Sequence, residues 1–453
     1  MLDLATTSME RILGDLTPEQ KEAVTFGEGP LLVIAGAGTG KTRVLTRRVA
    51  YLVTSKLAKP SEILALTFTE KAAQEVEERV DLMVPYGYVD IWIGTFHSFG
   101  YRILRDYSLE MGLSPEFRVL PPSEQVVFLR QHLFELPLDK YRPLSDPTQH
   151  LQSLVSLFSR AKDEAVSPDK YLDYAQVKMR EAKTEAEKEE ARSQLELAKV
   201  YDAYRQLMWK YGFLDYGDQV NLVLELFKTH PAILEKFRNR FRYVLVDEFQ
   251  DTNRAQFELL KVMCGENPNL TVVGDDDQSI YKFRGAAISN ILSFIDTYPD
   301  AHQVVLIKNF RSYQSILDHA RNLILHNNPD RLEVKNNINK NLISARGEKE
   351  GIVKYITFDT ASDEADSICD IIRKKVKEED RSYSDFAVLL RRNRDADPFI
   401  RAMNLNGIPY RFAGSEGLYE RAEVKLLLSF LRALTDPEDS TSLYFLASSE
   451  PYV

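Results

Sequence analysis

A glycine-rich loop between an apolar strand pattern and a helical pattern constrains the fold of this chain more than any other feature. Leu31–Ala35 is a short apolar run, and a helical pattern extends from Thr42 to Leu52. The loop that joins them consists of Ala35, Gly36, Ala37, Gly38, Thr39, Gly40, Lys41 and Thr42. Glycines let a backbone wrap closely around an anion, and the following helix adds its positive end. The pattern therefore predicts a phosphate-binding loop in an α/β fold.

The last two residues of this loop carry the chemistry expected of such a site. Lys41 can reach the β- and γ-phosphates of a nucleotide, and the Thr42 hydroxyl can be a ligand of Mg²⁺. Ala35 stands where the usual pattern has its first glycine, so a strict pattern search would miss the loop. The Gly-Lys-Thr ending and the position between strand and helix still identify it.

A second signal is an acidic pair at the end of another apolar run, Tyr243–Val246. Ligands of open α/β sheets bind at the carboxyl ends of the strands, where Asp247 and Glu248 are expected. Asp247 is suited to hold Mg²⁺, and Glu248 is suited to orient and deprotonate an attacking water. Together the two motifs predict a nucleoside triphosphatase.

Alternating strand and helix patterns predict parallel sheets with helices on both faces. Other members of the first alternating region are Ile63–Thr67, Lys71–Val80 and Leu270–Val273. A helical block from Arg118 to Lys210 interrupts this region. A second alternating region is predicted after Pro299, with strands Val304–Leu306, Ile352–Thr357 and Phe386–Leu390.

Length and composition exclude several classes of protein. A chain of 453 residues is long enough for roughly three domains. Its two cysteines, Cys264 and Cys369, are too few for a disulfide framework or a four-cysteine zinc site. No apolar run approaches the ~20 residues of a membrane span, and residues 1–10 lack the features of a signal peptide, so we expect a cytoplasmic protein. The net charge of −10 argues against a passive basic coat on nucleic acid, but it allows a local binding groove.

Seven motifs follow one another along the chain in a recognisable order. They are Leu16–Gln20, Thr67–Ala73, Gly94–Phe99, Asp215–Asp218, Asp247–Asn253, Val273–Ala286 and Asn309–Ser312. With the phosphate loop, this ordered set strongly resembles the UvrD/Rep/PcrA family of superfamily I DNA helicases. The resemblance extends from about Leu16 to the end of the sequence.

This resemblance implies two RecA-like domains that clamp ATP between them and step along single-stranded DNA, usually 3′ to 5′. It predicts an ATP-dependent DNA helicase with ATP and Mg²⁺ as cofactors, and with single-stranded DNA and duplex junctions as partners. It predicts no particular protein partner. The expected domains are a first RecA-like domain (1–115 and 209–300), a helical insertion (116–208), a partial second RecA-like domain (301–436) and the start of a second insertion (437–453).

The resemblance also assigns further nucleotide contacts by position. Gln20 matches the glutamine that reads adenine, and Arg43 matches the arginine that stacks on the base. Gln278 and Arg311 match residues that sense or stabilise the γ-phosphate. Phe310 stands where the family usually has Tyr, so it keeps the ring for stacking on adenine but lacks the hydroxyl.

Contacts to DNA in the family come from aromatic rings, whose stacking tolerates any base. The matching aromatic residues are Phe68, Tyr216, Tyr281 and Phe283, the last of which is Trp in many relatives. Thr95, His97 and Arg284 match positions that contact the DNA backbone or couple it to the nucleotide. Glu70 replaces the usual Asn and puts a negative charge near the expected DNA path.

Two late family motifs are not found after Arg311: one resembles Thr-x-His-x-x-Lys-Gly, and the other contains a second γ-phosphate arginine. We therefore expect an amino-terminal fragment that hydrolyses ATP slowly and does not unwind a duplex by itself. Two alternatives stay open. The chain could be a non-motor module that binds nucleotide or DNA, or the motor part of a RecB- or AddA-like helicase–nuclease with its nuclease beyond Val453.

Overall fold

The computed structural model describes residues 9–84, 90–266, 268–280, 289–348, 353–412, 422–435, 437 and 439–448. Tyr281, Phe283 and Arg284, three of the predicted DNA contacts, lie outside these residues. The chain forms two compact units, residues 1–351 and 352–453. In the described part of the chain, no helix is both long and apolar enough to cross a membrane.

The centre of the first unit is a six-stranded parallel sheet with the spatial order β3-β2-β6-β7-β1-β8. The strands of the described residues are β1 (Leu31–Ala35), β2 (Ile63–Thr67), β3 (Trp92–Thr95), β4 (Arg118–Val119), β5 (Phe213–Leu214), β6 (Tyr243–Val246), β7 (Leu270–Gly274), β8 (His302–Leu306), β9 (Lys308–Asn309) and β10 (Ile343–Ser344). The strands β1, β2 and β6 have the bounds that the sequence predicts. The α/β class is confirmed, because all pairings in this sheet are parallel.

Helices cover both faces of this sheet, which explains why its strands are continuous apolar runs. Leu32 and Ile34 belong to the apolar core on one face, whereas Leu31 and Val33 belong to the core on the other face. The helices of this unit are Pro18–Thr25, Lys41–Thr54, Glu70–Asp81, Phe96–Asp106, Pro122–Gln131, Leu151–Asp163, Pro168–Glu181, Glu185–Lys210, Tyr216–Thr229, Pro231–Arg240, Arg254–Cys264, Ser289–Thr297, Gln314–Ile324 and Leu332–Lys335. A further short helix covers residues 9–13.

Strand β8 differs from its predicted place. The sequence assigns Val304–Leu306 to the second alternating region, but β8 pairs with β1 along its whole length, from His302 opposite Leu31 to Leu306 opposite Ala35. Its residues therefore complete the first sheet. The reason is that the outer edge of β1 offers a parallel ladder directly beside the phosphate loop, which local sequence patterns do not reveal.

The helical block has an apolar core of its own, built from the helices between Pro122 and Lys210. The short ladder of β4 with β5 closes its base, where the chain leaves and re-enters the sheet domain. These limits resemble the predicted insertion at 116–208, although the domain boundaries themselves stay predictions.

The second unit contains the helices Ala361–Glu379, Asp397–Leu405, Ala422–Thr435 and Ser440–Ser448. Its predicted strands Ile352–Thr357 and Phe386–Leu390 are wrong for the described residues, 353–357 and 386–390, which form no strand. A strand needs a hydrogen-bonded neighbour, and the described part of this unit supplies none. Tyr355 and Leu389 are each 92% exposed. These apolar side chains of the two segments are therefore not covered by a neighbouring strand or helix in the described residues.

Candidate nucleotide and DNA site

The phosphate loop follows β1 and requires glycine at two positions. Gly38 and Gly40 have φ angles of 75° and 94°, in the left-handed region that other residues rarely adopt. A Cβ atom on Gly38 would lie 2.7 Å from Cβ of Arg311, so a side chain would not fit there. The Thr39 hydroxyl donates to the Gly36 carbonyl at 2.8 Å and closes the turn. Ala35, the position with the missing glycine, is the last residue of β1 and is fully buried.

Lys41 begins the helix after the loop, and its ammonium group lies between two predicted catalytic side chains. Lys41 Nζ is 2.7 Å from Glu248 Oε2, and it donates to Gln278 Oε1 at 3.0 Å. Lys41 is 8% exposed. The structure thus brings together Lys41 and Gln278, predicted to contact the phosphates, and Glu248, predicted to activate the attacking water.

Thr42 and Asp247 form the predicted Mg²⁺ pair. The Thr42 hydroxyl donates to Asp247 Oδ2 at 3.2 Å, and Asp247 is only 3% exposed. Burial, together with the charge of Glu248, raises the pKa of Asp247 to about 6. A hydroxyl and a carboxylate oxygen side by side are the ligand types that Mg²⁺ prefers, so these residues fit the ion.

Glu248 directly follows Asp247 in a strained backbone conformation. Its φ of 49° lies in the left-handed region, and such strain in a non-glycine residue is often found at functional sites. The side chain of Gln250 holds it in place, since Gln250 Nε2 donates to Glu248 Oε2 at 2.7 Å. Gln250 Oε1 also accepts from the Asp275 backbone N–H at 3.0 Å. Sequence reasoning missed this role of Gln250, although the residue lies in the motif Asp247–Asn253.

Beside the loop, a cavity of about 610 Å³ suits the base of a nucleotide. Thr17, Pro18, Lys308 and Phe310 are among its lining residues. The Phe310 side chain is 40% exposed, which leaves its ring available for stacking.

The two other predicted base contacts are engaged within the protein. Gln20 is 1% exposed; its Nε2 donates to the Thr39 carbonyl at 2.8 Å, and its Oε1 accepts from the Thr17 N–H at 3.2 Å. The Arg43 guanidinium forms an ion pair with Asp15. Reading of adenine by either residue would therefore require it to change partners, and both roles stay predictions.

Arg311 reaches the loop through a neighbour that the sequence did not single out, Asn309. Asn309 Nδ2 donates to the Ala37 carbonyl at 2.6 Å, and its Oδ1 accepts from the Arg311 N–H at 2.9 Å. The Phe310 N–H donates to the Gly38 carbonyl at 2.9 Å. Arg311 and Gln278 line a second cavity of about 370 Å³ beside Gly36.

Four of the predicted DNA contacts belong to the described residues. Phe68 follows β2, Thr95 ends β3, His97 lies in the helix after β3, and Tyr216 begins the helix Tyr216–Thr229. Tyr216 is 47% exposed, and its ring centroid is 5.8 Å from that of His97. Burial lowers the pKa of His97, which favours a neutral ring. Phe68, directly after β2, is half-buried.

Thr95 and Glu70 contact each other beside these rings. The Thr95 hydroxyl donates to Glu70 Oε1 at 2.7 Å, and it also accepts from the Ser98 N–H at 3.1 Å, which caps the helix Phe96–Asp106. Thr95 is 4% exposed, so this arrangement suits coupling between elements better than direct contact with DNA.

A buried ion cluster fixes the turn before Tyr216. Lys162 Nζ lies 2.6 Å from Asp215 Oδ2 and 2.7 Å from Asp218 Oδ1. Asp215 caps the helix Tyr216–Thr229, because its Oδ1 accepts from the Asp218 N–H at 3.0 Å. Burial opposes the charge of Lys162, but the two carboxylates raise its pKa. Nothing in the sequence around Lys162 indicates this role.

Both groups of residues lie along one edge of the sheet. The phosphate loop, the acidic pair and the turn with Gln278 follow β1, β6 and β7, whereas Phe68 and Thr95 belong to the ends of β2 and β3. The halves meet where β6 lies beside β2, and there the Asp247 N–H donates to the Leu66 carbonyl at 2.9 Å.

Known proteins match almost the whole of this chain. The profile of the UvrD/REP helicase N-terminal domain matches residues 16–299, and that of the UvrD-like helicase C-terminal domain matches residues 304–451. Proteins named ATP-dependent DNA helicase PcrA from Leuconostoc citreum and Staphylococcus aureus are 36% and 37% identical to it over 436 and 437 residues. These alignments cover 96% of this chain but only 54% and 56% of the two proteins, so the chain spans about half the length of the curated relatives it matches. Because the profile of the UvrD/REP helicase N-terminal domain matches more than half of the chain, and the C-terminal profile matches most of the rest, the chain belongs to the UvrD/REP helicase family.

Proposed function

We propose that this chain binds ATP–Mg²⁺ and single-stranded DNA on neighbouring halves of one sheet edge, as the motor part of an ATP-dependent DNA helicase. The observation that carries the proposal is the convergence of Lys41, Glu248 and Gln278 beside the phosphate loop, with contacts of 2.7 and 3.0 Å. The names of the PcrA relatives, which describe ATP-dependent DNA helicases, support it.

In the nucleotide half, the loop N–H groups and Lys41 bind the phosphates, and Thr42 with Asp247 would hold Mg²⁺. The ion supplies charge neutralisation of the phosphates when it is bound. Glu248 accepts a proton from the attacking water, and Arg311 stabilises the negative charge that develops on the γ-phosphate. Phe310 covers the base. The fixed hydrogen bonds from Gln250 and Asn309 keep these groups in place, so little reorganisation is needed for the reaction.

In the DNA half, Tyr216 and Phe68 offer rings for stacking, together with Tyr281 and Phe283 outside the described residues. Thr95 ends β3 and His97 follows it, and β3 is joined through β2 to β6, the strand before the acidic pair. A change at Asp247 can reach β2 through the Leu66 carbonyl, which gives a short physical route between nucleotide and DNA. The proposal has four further parts, which family resemblance supports: translocation from 3′ to 5′, action at duplex junctions, contact of Arg284 with DNA, and a cytoplasmic location.

The test is ATP hydrolysis and nucleotide binding by the chain and by Glu248→Gln. Glu248→Gln should bind a fluorescent ATP analogue but lose hydrolysis by about 10²-fold or more, as expected for removal of a general base. Glu258→Gln is the matched control, because Glu258 is a partly buried glutamate of the next helix that pairs with Lys261. Equal hydrolysis by Glu248→Gln and the parent chain would contradict the proposal.

A further inference from the structure

The acidic turn after β7 is held by two basic side chains from residues 331–340. Lys340 Nζ lies 2.6 Å from Asp275 Oδ1 and 2.9 Å from Asp277 Oδ2, and it also contacts Asp276. Arg331 donates to both carboxylate oxygens of Asp277, from Nε and Nη2, at 2.7 Å each. Lys340 is 7% exposed and Arg331 is 4% exposed. The turn is therefore clamped from inside the protein.

The three aspartates alone would resemble a metal site, since their carboxylate oxygens lie within 4.8 Å of one another. Within the described residues, however, the Lys340 ammonium lies among these oxygens and supplies the positive charge. Burial opposes this charge, but Asp275, Asp276 and Asp277 outweigh it and raise the pKa of Lys340. Without Lys340, Arg331 would be the cation left at these buried carboxylates among the described residues, and their repulsion would displace the turn.

This turn carries the side chain of Gln278 to the nucleotide site. Gln278 Nε2 donates to Asp275 Oδ2 at 2.8 Å, and its Oε1 accepts from Lys41 Nζ at 3.0 Å. A carboxylate only accepts hydrogen bonds, so the amide nitrogen must face Asp275 and the amide oxygen must face Lys41. Continuous contacts thus lead from Lys340 through Asp275 and Gln278 to Lys41.

We propose that Lys340 is a positioning residue for recognition of the γ-phosphate: it fixes Asp275 and thereby the orientation of the Gln278 amide. In this role Lys340 acts through Asp275 and Gln278, with which it forms a continuous chain of contacts to Lys41. The inference rests on the proposed function, because it assumes that Lys41 and Gln278 meet the γ-phosphate. It adds a basic residue more than 60 positions after Gln278 to the machinery that distinguishes ATP from ADP.

The experiment compares the affinities of fluorescent ATP and ADP analogues with Mg²⁺, so it does not depend on turnover. Lys340→Met should reduce the ratio of ATP affinity to ADP affinity by about tenfold, the effect of one misplaced hydrogen bond to a charged group. Its ADP affinity should stay unchanged, because the phosphate loop is intact. Lys335→Met is the matched control, since Lys335 lies in the same segment with a 43% exposed side chain.

A double variant separates positioning from general stability. If Lys340 acts through Gln278, adding Lys340→Met to Gln278→Ala should not lower the ratio further. Additive losses, or an unchanged ratio in a folded Lys340→Met, would overturn the inference. Should Lys340→Met lack a cooperative thermal transition, Asp275→Asn replaces it, and an unchanged ratio there would overturn the inference equally.

Lys41→Ala tests the proposed function on which the inference rests. If Lys41→Ala keeps full nucleotide affinity, the proposed function fails. If Lys41→Ala loses affinity but Lys340→Met has a normal ratio of ATP to ADP affinity, the positioning role alone is refuted.

Discussion

The two halves of the sheet edge are built in different ways. In the nucleotide half, Lys41 is 8% and Asp247 is 3% exposed, and each is paired with another predicted site residue, whereas Phe310 is left 40% exposed. In the DNA half, the ring of Tyr216 is 47% exposed. One half is a fixed set of charges, and the other is an open platform.

The difference fits what each of the two proposed ligands would demand. A phosphate group is recognised by charges and N–H groups at fixed positions, so its site must be assembled in advance. A base of any sequence is recognised by stacking, which needs an accessible ring and little else. The DNA half nevertheless contains a fixed element. The buried ion cluster of Lys162, Asp215 and Asp218 holds the turn before Tyr216 in place.

The largest expected effect is in the nucleotide half. Lys41→Ala removes the charge that faces the β- and γ-phosphates, and ATP–Mg²⁺ binding should weaken by about 2–3 kcal/mol. Titration with a fluorescent ATP analogue measures this. Lys59→Ala is the control, since the Lys59 side chain is 81% exposed. If Lys41→Ala binds as tightly as the parent chain, the nucleotide half is misassigned.

Tyr216→Ala tests the open half. Loss of one stacking ring should weaken binding to single-stranded DNA by about 1–3 kcal/mol and leave ATP affinity nearly unchanged. Fluorescence anisotropy with a labelled oligonucleotide at constant salt gives the measurement. Tyr174→Ala, with a ring 52% exposed on the helical insertion, should have no effect. A lower melting temperature with unchanged DNA affinity would instead make Tyr216 a packing residue.

The pH dependence of ATP–Mg²⁺ binding tests the buried carboxylate. Since the pKa of Asp247 is raised to about 6, it becomes protonated as the pH falls through that value and loses its ability to bind the ion. Affinity should be full above pH 7 and about tenfold lower one pH unit below the pKa. In the control Asp247→Asn, the phosphates of the nucleotide still titrate, but residue 247 no longer does. Its binding of ATP–Mg²⁺ should be weaker and should depend less on pH. Parallel pH profiles for both chains would exclude Asp247 as the titrating group.

The smallest expected effect concerns Glu70, which stands where the family usually has Asn. Glu70→Gln keeps an acceptor for the Thr95 hydroxyl but removes a negative charge beside the DNA half. Binding to single-stranded DNA should strengthen about two- to fivefold at low salt, and the gain should shrink as salt screens the charge. Glu75→Gln, five residues further along the same helix, provides the comparison. An unchanged or weaker affinity of Glu70→Gln for DNA would show that Glu70 does not lie beside the bound DNA strand.

Strands β1, β2 and β6 could be predicted from the sequence, because each is a short apolar run followed by a chemically distinctive motif, whereas β3 and β9 were not predicted. The bounds of β1, β2 and β6 agree with the structure for this reason. Ile352–Thr357 and Phe386–Leu390 have the same local pattern but do not form strands in their described residues, because a ladder depends on a neighbour that local sequence does not encode.

The site shows the same division. Lys41, Thr42, Asp247 and Glu248 carry recognisable motif chemistry, whereas Lys340 and Lys162 are isolated lysines in helical or loop sequence. Only the fold brings these lysines to carboxylates far away in the chain, with separations of 63 to 65 residues for Lys340 and 53 for the bond of Lys162 to Asp215. Buried ion clusters of this kind are tertiary features that spacing rules do not detect.

If nucleotide and DNA bind to one sheet edge whose halves are physically connected, binding of one ligand should change the affinity for the other. The most direct measurement is the affinity for a labelled single strand with and without a non-hydrolysable ATP analogue and Mg²⁺, in the parent chain and in Lys41→Ala. We expect the analogue to change DNA affinity by about fivefold or more in the parent chain, and DNA to change the analogue's affinity by the same factor. Lys41→Ala should abolish the effect at the same analogue concentration. Identical DNA affinity with and without the analogue, when binding of the analogue has been confirmed, would contradict the account.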